Sequence, residues 1–251
     1  MKKAILAATM ALLAASVLCA DPADALVGAD LADRTIQRYT VVVRAPKSRC
    51  TGVVLAQDIV LTAAHCVASG DKFWVGEGNQ ALPPWLISTA EQSKMVVPPS
   101  LLSTVDQVVP HPLFDSKDSR SPDLAILKLA KPLPDRFSPA ALSARDLAEG
   151  DHLIAAGYGK SSPDEVRASP VLRMVLLQVT RADRGWATLT KFGDDPAASA
   201  PGDSGGPLFT YRGMHALVGL ISAGSNKLTR AVSLAAYYGW IKETQERLGG
   251  R

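Results

Sequence analysis

Cysteine is scarce in this chain of 251 residues: there are three, and one of them, Cys19, sits in the apolar N-terminal stretch. A dense disulfide scaffold is therefore excluded. With 47% hydrophobic residues the chain has apolar material for one large core or two smaller ones. Charge of one sign is lacking too. There are 27 Lys and Arg against 24 Asp and Glu, a net charge of +3, with no basic block. That argues against nucleic acid as a partner. Past the N-terminal stretch no apolar run reaches the length of a membrane span, so no stable membrane insertion is expected. His111, His152 and His215 are not spaced as a metal set, and Glu91, Asp115 and Asp118 are too dispersed for a calcium loop. The sequence calls for no metal and no cofactor, and it carries no internal repeat.

The N-terminal stretch reads as a secretory signal. Lys2 and Lys3 precede an apolar run from Ala4 to Ala20, and Asp21-Pro22-Ala23-Asp24-Ala25 follows. A charged start, an apolar middle and small residues at the end are the marks of a segment that is removed on export, here residues 1–25. Ala23-x-Ala25 favours a cut after Ala25, which leaves Leu26-Val27-Gly28-Ala29 as the new start. A cut after Ala20 would leave a propeptide from Asp21 to Ala25. Leu18 before Cys19 is too large for lipid attachment there. The mature chain is expected outside the cytoplasm, secreted or periplasmic. Cys50 and Cys66 then remain as an even pair in an oxidising setting.

Short apolar runs punctuated by turns fill the rest. Tyr39–Val43, Cys50–Leu55, Asp58–Leu61, Phe73–Val75, Lys94–Val97, Val105–Val109 and Asp123–Leu129 read as strands. After Lys131-Pro132-Leu133-Pro134 the pattern resumes at His152–Ala156, Leu172–Val179, Gly185–Thr190, Pro207–Phe209, His215–Ser222 and Ala231–Leu234. Such spacing argues for an all-β fold of barrels or a sandwich. A helical period is missing until Tyr238–Leu248, where Trp240, Ile241, Thr244 and Leu248 share a face before Gly249-Gly250.

The chemistry concentrates at Pro201-Gly202-Asp203-Ser204-Gly205-Gly206-Pro207. A serine on a tight glycine-bracketed bend is exposed, and neighbouring backbone N–H groups can converge on one spot, as acyl transfer requires. A serine hydroxyl needs a base. Thr62-Ala63-Ala64-His65-Cys66 supplies an imidazole, and Asp123-Leu124-Ala125-Ile126-Leu127 supplies a carboxylate to orient it.

In the order His65, Asp123, Ser204, with TAAHC, DLAIL, GDSGGP and GYG at Gly157–Gly159, the chain resembles the chymotrypsin/trypsin family of serine proteases from about Leu26 to Ile241. The resemblance implies two six-stranded antiparallel β-barrels, at about 26–135 and 149–236, with a C-terminal helix at about 238–248. It implies Ser204 as nucleophile, His65 as base, Asp123 as its orienting acid and the N–H groups of Gly202 and Ser204 as an oxyanion hole. It implies a Cys50–Cys66 disulfide, with two free buried thiols as the alternative reading. Asp203 would receive the amine of Leu26, so that signal removal alone gives the active form. Ser222, Ala223 and Gly224 fall on the segment that pairs with substrate, and Ala223 stands where the family has Trp. Ala198 falls where members that cut after Lys or Arg have Asp, and Thr229 falls on the pocket wall. These positions point to small or medium apolar residues before the cut. Having a single bridge suggests a bacterial member. The partners expected are protein or peptide substrates and protein inhibitors, with the enzyme a monomer. The competing reading is a protease-fold binding protein with weak or no turnover.

Overall fold

Strands whose two faces are both apolar dominate the structure. The computed structural model describes residues 29–44, 49–68, 73–76, 102–160, 171–192, 199–225 and 228–249. Residues 1–25, Leu26 and its neighbours, the strand expected at Lys94–Val97 and the site position Ala198 lie outside them. The elements are β1 (Asp30–Leu31), α1 (Arg34–Tyr39), β2 (Thr40–Arg44), β3 (Arg49–Ala56), β4 (Ile59–Thr62), β5 (Trp74–Gly76), β6 (Leu102–Pro110) and β7 (Ala125–Leu129), followed by β8 (His152–Gly157), β9 (Arg173–Asp183), β10 (Trp186–Lys191), β11 (Pro207–Thr210), β12 (Leu217–Ser225), β13 (Leu228–Ser233) and α2 (Tyr238–Arg247).

The fold is all-β, two six-stranded antiparallel barrels with a short C-terminal helix. The first barrel closes in the order β2-β3-β4-β7-β6-β5. The second runs β9-β10-β13-β12-β11-β8 and closes through the β8–β9 pairing, and β1 adds to the outer edge of β9. Alternation along each strand explains why the apolar runs are continuous. Val41 and Val43 point into the first barrel, while Val42 points out against the second. Leu153 and Ala155 fill the second barrel, while Ala156 joins the layer between the two. That shared layer holds Val53, Leu61, Ile126, Tyr158, Phe209 and Leu220, all fully buried. Each such side chain contributes about 1.5–3 kcal/mol on leaving water, so the interface between the barrels is as much a core as either interior.

Two elements tie the barrels further. Helix α2, which follows the second barrel, packs back on the first: Gln245 Nε2 donates to Leu55 O at 3.1 Å. His111 stacks edge-on against Trp240, with ring centroids 4.7 Å apart, and against Tyr237 at 5.2 Å. Helix α1 is a difference from the sequence reading. Asp33 caps it, accepting from Thr35 N and Ile36 N at 2.8 and 2.9 Å. Six residues with one buried side chain, Ile36, are too few to show a helical period.

Thr51 on β3 makes a buried polar junction between the barrels. Its N–H donates to Ser204 O at 2.8 Å, its hydroxyl donates to Gly202 O at 2.9 Å, and the same hydroxyl accepts from Tyr158 N at 3.0 Å. The residue is fully buried. Replacing the hydroxyl by a methyl leaves a buried N–H and a buried carbonyl unmatched, at about 1–3 kcal/mol for each group. Thr51→Val is therefore expected to lower the urea unfolding midpoint by that order, while Thr51→Ser keeps most of it. Equal midpoints for Thr51→Val and the wild type would refute the junction.

Candidate active site

The β3–β4 hairpin ends in a single 3-10 turn, Ala64–Cys66, which presents His65 at the edge of the first barrel. Cys66 in that turn is disulfide-bonded to Cys50 on β3, so the pairing implied by the resemblance is present. The cross-link holds the turn against its own hairpin. Asp123 lies just before β7 and is 6% exposed. It grips the turn twice: His65 N donates to Oδ1 at 2.9 Å, and His65 Nδ1 lies 2.7 Å from Oδ2. Facing a carboxylate, Nδ1 carries the proton, which leaves Nε2 as the acceptor. The Ser222 hydroxyl, from β12, donates to the same Oδ2 at 2.6 Å. His65, Asp123 and Ser222 thus form a hydrogen-bonded triad-like arrangement across both barrels. Burial pushes the Asp123 carboxyl up, but the bonds from His65 and Ser222 outweigh it and hold the group below the usual carboxylate range.

The bend 201–206 crosses directly opposite. Gly202 and Gly205 have φ of +109° and +81°, which glycine adopts without strain. At Gly205 a Cβ would also fall 2.2 Å from Thr51 O, so the bend can lie flat on the first barrel only with glycine there. Ser204 is half-buried, and its hydroxyl donates to Ser222 O at 3.2 Å. Two carbonyls of the bend are engaged within the protein: Pro201 O accepts from Lys160 N at 3.1 Å and Asp203 O from Gly206 N at 2.8 Å. In a trans peptide the N–H points opposite to the C=O. The N–H groups of Gly202 and Ser204 therefore point the other way. Among the described residues neither has a hydrogen-bond acceptor.

Asp203 is completely buried under this bend. Its Oδ1 accepts from Gly159 N at 2.7 Å and its Oδ2 from Ala200 N at 2.8 Å. Gly159 has to be glycine for this approach, since a Cβ would lie 2.4 Å from the carboxylate. Burial raises the Asp203 carboxyl to about 7, against the opposing pull of those two N–H groups.

A cleft of about 410 Å³ runs between the barrels and is lined by His65, Ser204, Ser222, Ala223 and Gly224. Thr229 sits apart from this lining. It is fully buried, pairs with Gly224 across β12–β13, and its hydroxyl accepts from Ser199 N at 2.9 Å. Ser199 closes on Gly224, whose Cβ, if present, would fall 2.0 Å from Ser199 Oγ. Three contributors were not singled out in the sequence. Thr51 follows Cys50 with no motif of its own. Trp186 and Arg230 line the outer part of the cleft, and the one available signal was an arginine interrupting the apolar alternation before Ala231. Cys50, His65 and Cys66 lie close enough together to suggest a metal site. Both sulfurs are in the disulfide and have no thiolate to offer.

Comparison with known proteins agrees with this geometry. The family model described as Trypsin matches residues 26–241. Granzyme B of Rattus norvegicus is 31% identical over 218 residues, covering 79% of this chain and 80% of the relative. Cathepsin G of Mus musculus is 27% identical over 219 residues, covering 81% and 77%. The solved structure of neuropsin, a serine protease expressed in the limbic system of mouse brain, superposes with a TM-score of 0.68 at 20% identity, covering 86% of this chain and 98% of that one. These relatives correct the bacterial reading drawn from the single disulfide. The resemblance is to mammalian granzymes, cathepsin G and kallikreins, and the presence of disulfides follows redox compartment and domain size, so a single bridge does not mark a lineage. The triad-like cluster, the paired barrels and the match across the chain leave one conclusion: this protein belongs to the trypsin family of serine proteases.

Proposed function

We propose that Ser204 is the nucleophile of an endopeptidase that works through an acyl-enzyme, with His65 as general base and Asp123 holding its tautomer. The observation that carries this is the pair of internally bonded carbonyls at Pro201 and Asp203. They leave the N–H groups of Gly202 and Ser204 on the other side of their peptides, without an acceptor among the described residues, and so available to a tetrahedral oxyanion at Ser204. Rotation about the Ser204 Cα–Cβ bond moves the hydroxyl from Ser222 O to Nε2 of His65. Attack on the scissile carbonyl passes the proton to Nε2. The imidazolium is stabilised by Asp123 and returns the proton to the leaving amine, and water then repeats the sequence to free the acid. Ser222 is the weaker candidate for nucleophile. Its hydroxyl is buried and engaged with Asp123, so it orients the carboxylate instead.

The chain is exported by removal of residues 1–25, and the new amine at Leu26 enters the second barrel to meet Asp203. The family match opens at residue 26, and Ala29, the first described residue, is buried. Substrates are proteins or peptides laid along Ser222–Gly224. Ser199, pressed against Gly224, narrows the space for the residue before the cut and favours small or medium apolar side chains there. Among the described residues no helix is long and apolar enough to cross a membrane.

A fluorophosphonate probe tests the nucleophile. The processed wild type and Ser222→Ala are expected to label, and Ser204→Ala is not, with kcat/KM lowered by about 10⁶-fold as for other serine nucleophiles. Labelling of Ser204→Ala with loss in Ser222→Ala would reverse the assignment. Stability against pH tests the amine. In the unprocessed chain the Asp203 carboxyl lies at about 7 when folded against 3.8 as its ordinary value. Between those values the folded state binds more protons, so stability falls as pH rises from about 4 to 7 and levels off above. The urea midpoints of the unprocessed wild type should show this fall relative to Asp203→Asn. In the chain beginning at Leu26 the amine holds the carboxylate ionised, and the fall should vanish. The same fall in both forms would exclude the pairing.

A further inference from the structure

The outer wall of the cleft carries a cation held by an aromatic ring and a loop carbonyl. Arg230 is half-buried on β13 and lines the same cleft as His65 and Ser204. Its guanidinium carbon lies 4.0 Å above the Trp186 ring, and one terminal nitrogen donates to Ser119 O at 2.5 Å. Trp186 is fixed in turn, since its Nε1 donates to Arg120 O at 3.0 Å. Both anchors lie in the loop that leads to Asp123. The guanidinium is thereby held in one place, while a planar fork with five donors leaves several of them free. Among the described residues no carboxylate is paired with Arg230. Asp115 and Asp118 are on the same rim, but their carboxylates accept from Lys117 N and Arg120 N at 2.9 and 2.8 Å and cap their own turns.

The register of the strands says which substrate position meets this cation. Gly224 pairs with Thr229, and the Gly224 face is the one against Ser199. Ala223 pairs with Arg230, one residue along, so both point to the opposite face. A peptide added along Ser222–Gly224 alternates in the same way. If the residue before the cut faces Ser199, the residues two and four before the cut face Ala223 and Arg230. Ala223 has no bulk to fill that face, and the arginine is reached over it.

We propose that Arg230, stacked on Trp186, is a specificity-determining residue that selects an acidic side chain two or four residues N-terminal to the cut. This rests on the substrate path along Ser222–Gly224 proposed above. A carboxylate there forms a charge-assisted hydrogen bond at a partly desolvated, pre-positioned guanidinium, and one such bond is worth about a tenfold preference where Asp115 and Asp118 and solvent offset part of it.

The test is kcat/KM on peptide sets that differ only in Asp, Asn, Ala or Lys at those two positions, with the processed enzyme. Wild type should prefer Asp over Asn about tenfold at one of the positions, expressed mainly in KM and shrinking with added salt. Arg230→Gln should level the ratio, Arg230→Lys should restore part of it, and Arg230→Glu should shift the preference to Lys. Because each ratio compares peptides on one variant, a general loss of folded enzyme cancels. A flat wild-type profile, a preference for Lys governed by Asp115 and Asp118, or a ratio unchanged in Arg230→Gln would overturn the proposal while cleavage itself continues. Absence of cleavage of every peptide would instead remove the substrate path, and this selection with it.

Discussion

Everything at the cleft depends on how Thr51 is held between the barrels. Its backbone N–H and its hydroxyl fix the carbonyls of Ser204 and Gly202, and the hydroxyl also accepts from Tyr158 N. Its own carbonyl accepts from the Thr62 hydroxyl at 2.7 Å, which ties it to the strand that leads to His65. The residue before it, Cys50, is linked to Cys66 beside His65. Two adjacent residues of one strand therefore set the imidazole from one side and the serine bend from the other. A hydrogen bond of this kind has a modest net value. What makes the junction consequential is that three backbone groups of the bend and of the GYG segment meet one residue, two of them at its hydroxyl.

Two buried aspartates show how the same physics gives opposite outcomes. Asp123 and Asp203 are both shielded from water, and burial raises both. Asp123 receives an imidazole, a hydroxyl and a backbone N–H, and these reverse the shift. Asp203 receives two backbone N–H groups only, and they are not enough. A buried carboxyl left this high gains most from a cation brought to it, which is the part the pairing proposed above gives to the amine of Leu26. Asp123 needs none, because its partners are in place in the folded barrels. Asp123 is thus complete within the described barrels, whereas Asp203 has two N–H donors and no cation among the described residues.

Much of the fold was legible because the strands are buried on both faces. The runs read at Tyr39–Val43 and Asp58–Leu61 are rich in β-branched residues and leucine and fall on the strands Thr40–Arg44 and Ile59–Thr62, and the structure shows the reason: successive residues serve different apolar layers. Helix α1 was not legible, since its signal is one capping aspartate and one buried isoleucine. His65, Asp123 and Ser204 stood out because each sits in a local run whose neighbours are constrained too: alanines inside the hairpin turn, leucine at the strand mouth, glycines in the bend. Thr51, Trp186 and Arg230 do their work through partners more than sixty residues away in sequence, and no local pattern encodes that. Thr229 was legible as a residue near the pocket, but its hydroxyl turns out to hold Ser199 in place instead of lining the cleft.

The loop before Asp123 joins these observations. It is exposed along most of its length, and exposed loops are the part of a fold with the least to hold them. Here its far end enters the first barrel at Asp123, and its middle is fastened to the second barrel through Ser119 and Arg120 by Arg230 and Trp186. Within the loop, Ser121 closes the turn by donating to Asp115 O at 2.7 Å and accepting from Asp115 N at 3.0 Å. The wall that faces the substrate and the segment that delivers the triad carboxylate are therefore one piece of chain. Ala223 is small, and the aromatic surface of this part of the cleft is Trp186, two strands away, with Arg230 laid across it. The selection proposed for the outer cleft and the placing of Asp123 would share the same two anchors, so a change to either anchor would be felt at both.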